Sequence, residues 1–599
     1  MKTLPLLMVL LVAVPVSAAA ANLHFSSYST FDVEQRGMIT TSGAVNSLSV
    51  FVYIPQTDET QTTKIREIWG NDDICMLYDK TFEDLCTYQI VQDQFGNNQI
   101  KITGMNPGNN FSFYVKSSVT VKRLPYMSEI LGDEFLKPTE KIQSSDPEIS
   151  KKASEITIGK PDGFEKAAEL TRWVHENIQY DLSFMGMKLP AKQVMSVRKG
   201  ACDDMSTLLA SMSRSLGYQT SYVAGYAFGN TSEENGFVGH AWNEITAGGR
   251  TYVVDPTWAQ IPADTTHIKI ARVADSGYTE FSVTGSSNNA ATEMKLTPLN
   301  TSVTIRSIDE EPMITGEHEL LADKLSQGYV VVRSDLSYDG CMLGKFYVQG
   351  CYFGDNHSLE ALTGDRMISF CGKESVFSIF RIPNLKTGII YNCPITIMPP
   401  TGDAADINAS MSASDAAPPT LAMSIDKTSA ELGSTVRVSA PGAHLFTTDG
   451  QYAFERGNFD VNGSMNVYAY SDGALAEQGV LASSEVPLGV EIISSQSATV
   501  GKKMGIGIRV TNAAGSGMPV TVRFRNESDT KTVAAGASAV FEFTLIPQDA
   551  EDNIVTAYVS SGSFLTSSSK VIEVSEEDWL SSFIASVSEF INKLFGGNA

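Results

Sequence analysis

The sequence predicts a multidomain chain in which an α+β core is flanked by several β-sandwich modules and followed by a C-terminal amphipathic helix. Three observations carry this reading. The chain has 599 residues, more than a single hydrophobic core accommodates. Short alternating apolar runs broken by Gly, Asn and Pro fill the first hundred residues and most of the second half. Between them the period becomes helical and then returns to strands, the order of an α+β unit.

Residues 1–21 predict a secretory signal peptide: Lys2, an apolar run over 4–16, then small residues from Ser17 to Ala21 in an A-x-A arrangement. The run is short for a membrane span, and no later stretch holds eighteen consecutive apolar residues, so a secreted or cell-surface location is expected. Residues 22–126 read as an N-terminal β-sandwich, with strands in "SLSVFVYIP" and "QIKITGM" and turns at "FGNN" and "MNPGNN". The α+β core is expected over 127–298. Its first clear helix starts in "DGFEKAAELTRWVHENIQY", with Asp162 as N-cap and Glu165 at capping-box spacing. A second helix begins near Cys202, with Met205, Leu208, Leu209, Met212 and Leu216 as an apolar stripe and Gly217 positioned to end it. Strands follow near 220–228, 240–246 and 250–255.

Residues 299–398 predict a β-rich domain holding Cys341, Cys351, Cys371 and Cys393, and 399–420 a linker rich in Pro, Ala, Ser and Asp. Residues 421–486 read as a further β module, and the alternation over 487–574 resembles an immunoglobulin-like sandwich. Residues 575–599 predict the amphipathic helix, whose stripe is Leu580, Ile584, Val587, Ile591 and Leu594. Docking on the protein's own body, self-association and membrane-surface contact all fit it; Lys593, as the one basic residue, gives little attraction to anionic lipid.

Composition narrows the function classes. A hydrophobic share of 42% with 19% charged residues is that of a globular protein. The formal net charge of -24 argues against nucleic acid as a partner, because the long-range field repels phosphate. In an oxidising compartment cysteines pair. Cys75 and Cys86 form one group, and the four in 299–398 form another with three connectivities open, so a disulfide-bonded protein is expected. No CxxC suggests a zinc site, and 355–365 lacks EF-hand spacing, so no metal is assigned. Asn110, Asn230, Asn300, Asn356, Asn408, Asn462 and Asn526 open sequons that permit a glycoprotein.

Cys202 is the cysteine left over. At a helix start, free N–H groups and the helix dipole favour a thiolate, the nucleophilic form. "GHAWNEITAGGRTYVVDPTW" supplies His240 and Asp255 on two strands joined at Gly248-Gly249. With that turn, facing residues sum to 497, so Asp255 lies diagonal to His240 on one face. Diagonal neighbours are roughly 7–8 Å apart by backbone, within reach of long side chains. A carboxylate there fixes the imidazole tautomer, and the imidazole takes the thiol proton. His175, on the preceding helix, reads as a structurally satisfied histidine.

"KGACDDMSTLLASMSRSLGYQTSYVAGY", "GHAWNEI" and "YVVDPTW", in that order, resemble the transglutaminase-like superfamily over about 165–258. The resemblance implies a papain-like fold with Cys202 as nucleophile, His240 as base and acid, and Asp255 as orienting group. Calcium-dependent animal members carry an aromatic residue after the cysteine. Asp203 stands there instead, which places the chain nearer the microbial and archaeal type, often hydrolases. The implied activity is hydrolysis of a peptide, isopeptide or amide bond in a protein or peptide substrate, with no cofactor; resolution by a lysine amine would give crosslinking. A non-catalytic surface adhesion or scaffold protein is the alternative from another class.

Overall fold

The computed structural model describes most of residues 26–575; several short internal segments, among them 78–85, 231–234 and 413–420, are outside it. The expected signal peptide at 1–21 and terminal helix at 575–599 lie outside the described residues, Ser575 apart. The chain divides into two compact units, Met1–Pro419 with Asp472–Ala474, and Thr420–Ser471 with Leu475–Ala599. No helix among the described residues is long and apolar enough to cross a membrane.

In the first unit, the N-terminal strands form two sheets. One is centred on Tyr28–Thr41 and Asn110–Lys122, the other on Ser47–Tyr53 and Asn98–Met105. Ser47–Tyr53 alternates buried and half-buried residues along its length, as a strand with one face in a core must. The boundary expected at 298 is corrected by strand pairing. Phe281–Ser286 pairs with Ser47–Tyr53, and Asn300–Ile308 pairs with Tyr28–Thr41, so chain beyond the core returns to close both N-terminal sheets. Alternation marks a strand but does not name its partner.

The α+β core holds a four-stranded antiparallel sheet in the order Arg250–Val254, Asn235–Ala247, Gln219–Asn230, Ile268–Val273. Helices Pro147–Ile156, Phe164–Asn177 and Ala191–Val197 surround a central helix, Cys202–Ser215. Two local expectations change. The helix Phe164–Asn177 is capped at Gly163, at a positive φ of 106°, and not at Asp162, whose carboxylate instead accepts the Tyr218 hydroxyl. The Cys202 helix, expected to bury one apolar stripe, is buried all round from Cys202 to Arg214. Three of its hydroxyls bond carbonyls within the fold: Thr207 that of Asp203 at 2.7 Å, Ser211 that of Thr207 at 2.8 Å, and Ser206 that of Ala241 at 2.9 Å. Arg214 donates to the carbonyls of Thr220, Lys137 and Ala274.

The four-cysteine region is a six-stranded sheet built on Tyr329–Gln349 and Arg366–Arg381. The bridges are Cys341–Cys371 and Cys351–Cys393, with Cys75–Cys86 in the N-terminal module. Residues 405–412, expected within a linker, form the strand Ala405–Ser412 paired with Ile390–Met398; Ala409 and Met411 fill the core of this sheet. Residues 255–264 run from the α+β core to this sheet, where Ile261 and Leu343 exchange backbone hydrogen bonds at 3.0 and 2.8 Å.

In the second unit, Thr435–Thr447 anchors a six-stranded sheet. Further along, Leu488–Ile493, Met504–Asn512 and Ser538–Leu545 form one sheet, and Met518–Phe524 with Ile554–Ser561 part of another. Ile508, Val520, Val522, Phe541 and Val559 from both faces share one core, which makes this module a sandwich.

Candidate active site

Cys202 is the first residue of its helix, 7% exposed, and the free cysteine among the described residues. The His240 strand crosses against this helix, and the Ser206–Ala241 bond fixes the contact. Asn243 locks it further, donating to the carbonyls of Ser206 at 3.1 Å and Ser221 at 2.9 Å. The strand register is the one expected from the Gly-Gly turn, with Asn243 opposite Val254 and Ala247 opposite Arg250. On the other side Gly225 faces His240. A Cβ at Gly225 would fall 2.7 Å from the Trp242 ring and 2.1 Å from the Ile268 carbonyl, so only glycine lets these strands close on the site.

The structure brings the three sequence-predicted residues together. His240 Nε2 lies 3.0 Å from Asp255 Oδ2, and the Cys202 sulfur is near enough to the ring to favour its protonated form. With Nε2 engaged by Asp255, Nδ1 is the nitrogen left for sulfur. Asp255 is held in turn: its Oδ1 accepts the N–H of Thr257 at 2.7 Å and of Trp258 at 3.4 Å, the turn that the sequence Asp-Pro-Thr-Trp closes. That turn lays Trp258 flat on His240, centroids 4.5 Å apart and planes 14° apart. Burial disfavours an imidazolium at His240, but the Asp255 charge and hydrogen bond, with the sulfur, outweigh it and hold the pKa up at about 10. Burial likewise opposes ionisation of Asp255, yet the two imidazoles bonded to it keep its carboxyl well below the usual range.

Asp203 and Asp204 are engaged away from catalysis. Asp204 accepts the N–H of Leu189 at 2.8 Å and of Ala201 at 3.1 Å, half of a capping box, while Asp203 accepts that of Asp204 at 3.1 Å. Asp204 thus ties the loop at Leu189 to the Cys202 helix. Burial and the neighbouring Asp203 charge push Asp204 up to about 6. His175 sits where a structural histidine would, its Nδ1 2.9 Å from the Thr257 carbonyl and its pKa lowered by burial.

The sequence reading missed three contributors: Trp258, His267 and Asp264. His267 Nε2 lies 3.1 Å from the same Asp255 Oδ2 that His240 uses, and its Nδ1 lies 3.0 Å from Asp264 Oδ1. No motif flags a lone histidine before a strand; its spacing of three from Asp264 was the only available signal. The donor atoms of His240, Asp255 and His267 lie within 4.8 Å of one another. Hydrogen bonds account for each of them, so we treat this cluster as a proton-bearing one.

Residues 150–256 match the transglutaminase-like superfamily model. Kyphoscoliosis peptidase of Mus musculus is 30% identical over 125 residues, which span 20% of this chain and 18% of that protein. The Homo sapiens counterpart is 29% identical over 109 residues, 17% and 16% of the two chains. The chain thus matches less than a fifth of the length of these curated relatives. A solved structure from Cytophaga hutchinsonii, described as a candidate cysteine protease, is 18% identical with a TM-score of 0.35, covering 48% of this chain and 94% of that one. With Cys202, His240 and Asp255 all inside the matched segment, the chain carries a transglutaminase-like domain at residues 150–256.

Proposed function

We propose that this is an exported cysteine acyl-transfer enzyme that hydrolyses peptide, isopeptide or amide bonds through Cys202, His240 and Asp255. The observation that supports it is the contact series Cys202–His240–Asp255, buried and built on a helix start and two paired strands. The Cys202 thiolate attacks the substrate carbonyl carbon, and the oxygen takes up the negative charge. The Cys202 N–H, without an intrahelical partner at the first position of its helix, faces that charge. His240 passes its proton to the leaving nitrogen as the C–N bond breaks, leaving a thioester. Water then gives a proton to His240 and attacks the thioester, releasing a carboxylic acid and restoring the thiolate–imidazolium pair. A lysine amine in place of water would yield an isopeptide crosslink. Three disulfides are compatible with an extracellular protein.

The test is labelling of the full chain by a thiol-directed alkylating probe across pH, with Cys202→Ala as control. Rapid labelling that is already near its plateau at pH 6 and absent from Cys202→Ala is expected. Slow labelling that rises only with an ordinary thiol pKa sinks the enzyme reading in favour of a non-catalytic surface protein. A casein-like substrate offered with a primary amine then separates hydrolysis from crosslinking.

A further inference from the structure

We propose that His267 is a permanently charged positioning residue of this site: an imidazolium clamped between Asp255 and Asp264 that fixes the Asp255 carboxylate and offsets part of its charge on His240. The inference rests on the catalytic reading of Cys202, His240 and Asp255.

The geometry leaves His267 little choice of protonation. Its Nε2 faces Asp255 Oδ2 at 3.1 Å, and its Nδ1 faces Asp264 Oδ1 at 3.0 Å and the Asp264 carbonyl at 3.1 Å. Ionised carboxylate and carbonyl oxygens only accept, so each ring nitrogen must carry hydrogen. Both carboxylates are surrounded by donors. Asp264 Oδ1 accepts the N–H and hydroxyl of Thr266 at 2.9 and 2.5 Å, and its Oδ2 accepts Gln260 Nε2 at 3.2 Å. Asp255 Oδ1 accepts the two N–H groups of its own turn. The surroundings exclude water: Trp242 and Trp258 stand edge-on to the His267 ring at 5.0 and 5.4 Å.

Charge balance agrees. The groups facing His267 are Asp255, Asp264 and His240, whose ring centroid is 5.6 Å away, with Arg123 behind Asp264. Three anions, the Cys202 thiolate, Asp255 and Asp264, then meet three cations, His240, His267 and Arg123. A neutral His267 would leave one buried negative charge uncompensated. One consequence follows for His240. Two imidazolium rings sharing one carboxylate oxygen repel each other, so His240 releases its proton to a leaving group more readily than beside Asp255 alone.

The experiment is ring-nitrogen NMR of the full chain with labelled histidine, read without substrate. We expect His267 to carry protons on both nitrogens from pH 5 to 9. In His267→Gln, whose amide can still donate to Asp255, the His240 midpoint should rise by about one pH unit. A neutral His267 at pH 7, or an unmoved His240 midpoint in a folded His267→Gln protein, overturns the proposal. Should that variant fail to fold, Asp264→Asn serves: His267 must then titrate at lower pH than in the wild type, and an unchanged midpoint overturns the idea. The two readings separate cleanly. A cationic His267 in an inert protein sinks the catalytic reading alone, and an active protein with a neutral His267 sinks this one alone.

Discussion

Two buried charge clusters lie four residues apart on the His240 strand, and they differ in kind. At one, Glu244 meets Lys269 at 2.5 Å and Arg272 at 2.5 Å, with Asp58 on Lys269 and Glu129 on Arg272. Asp58 belongs to the N-terminal module, so this cluster ties the core to the preceding sandwich. At the other, His240 and His267 meet Asp255, and His267 meets Asp264, beside the Cys202 sulfur. Burial opposes ionisation in both, yet opposite charges outweigh it in both: Glu244 is lowered and Lys269 raised, as Asp255 is lowered and His240 raised. The difference lies in chemistry. Lysine, arginine and glutamate stay charged across physiological pH and hold structure, whereas imidazole exchanges its proton within reach of catalysis. Burial alone therefore does not mark an active site; a titrating partner does.

The largest expected effect breaks the reactive cluster. Asp255→Asn should cut kcat/KM by about 10³- to 10⁴-fold through loss of imidazolium support, measured per folded molecule. Next, Glu244→Gln should cost about 3–5 kcal/mol of stability by leaving two buried cations undercompensated, measured by denaturant unfolding, while the activity per folded molecule stays near wild type. If that variant instead loses activity at full stability, the distinction between the clusters fails. Trp258→Ala should lower kcat/KM by roughly tenfold, since it exposes the His240–Asp255 bond to water and removes the stacked ring. Arg272→Lys should be the mildest, about 1 kcal/mol, because it keeps the charge but loses the paired contacts to Glu129 at 2.6 and 3.0 Å.

The pH dependence sharpens the comparison. His240 is raised from 6.5 to about 10, so its protonated form stabilises the fold fully below pH 6.5 and that contribution is lost as pH rises through about 10. The alkaline limb of kcat/KM should lie well above 6.5 on the same account. Asp58, lowered to about 2, works in the other direction: its contribution is present above the ordinary carboxylate pKa and is lost as pH falls through about 2. Acid should thus weaken both clusters, since Asp255 is lowered as Asp58 is, whereas the loss between pH 6.5 and about 10 should come from the reactive one, in a pH-dependent unfolding series.

The placement of Cys202, His240 and Asp255 was largely legible in the sequence because it is local. A glycine pair sets the register that places Asp255 diagonal to His240, and Cys202 precedes an apolar stripe. What escaped was long-range. Nothing in "DTTHIKI" says that His267 will share an oxygen with His240, since the loop from Asp255 must first fold back. Burial of the serines and threonines along the Cys202 helix is not marked in the sequence either, because a hydroxyl reads alike whether it meets water or a carbonyl four residues back. The partners of 281–308 and the cysteine connectivity were set by sheet register; Cys341 and Cys371 stand directly opposite on paired strands.

The Ile261–Leu343 backbone pairing has a practical meaning for anyone dissecting this protein. The segment that carries the family signature stops at residue 256, yet the loop bearing Trp258 and Asp264 is pinned by a strand some eighty residues further on, next to the Cys341–Cys371 bridge. The disulfide-bonded sheet therefore packs on the α+β core, where Cys341 and Leu343 join its hydrophobic cluster, and is not an appended module. A fragment trimmed to the recognisable domain would keep Cys202, His240 and Asp255 and lose the pinned loop beside them, so its inactivity would not count against the proposed function.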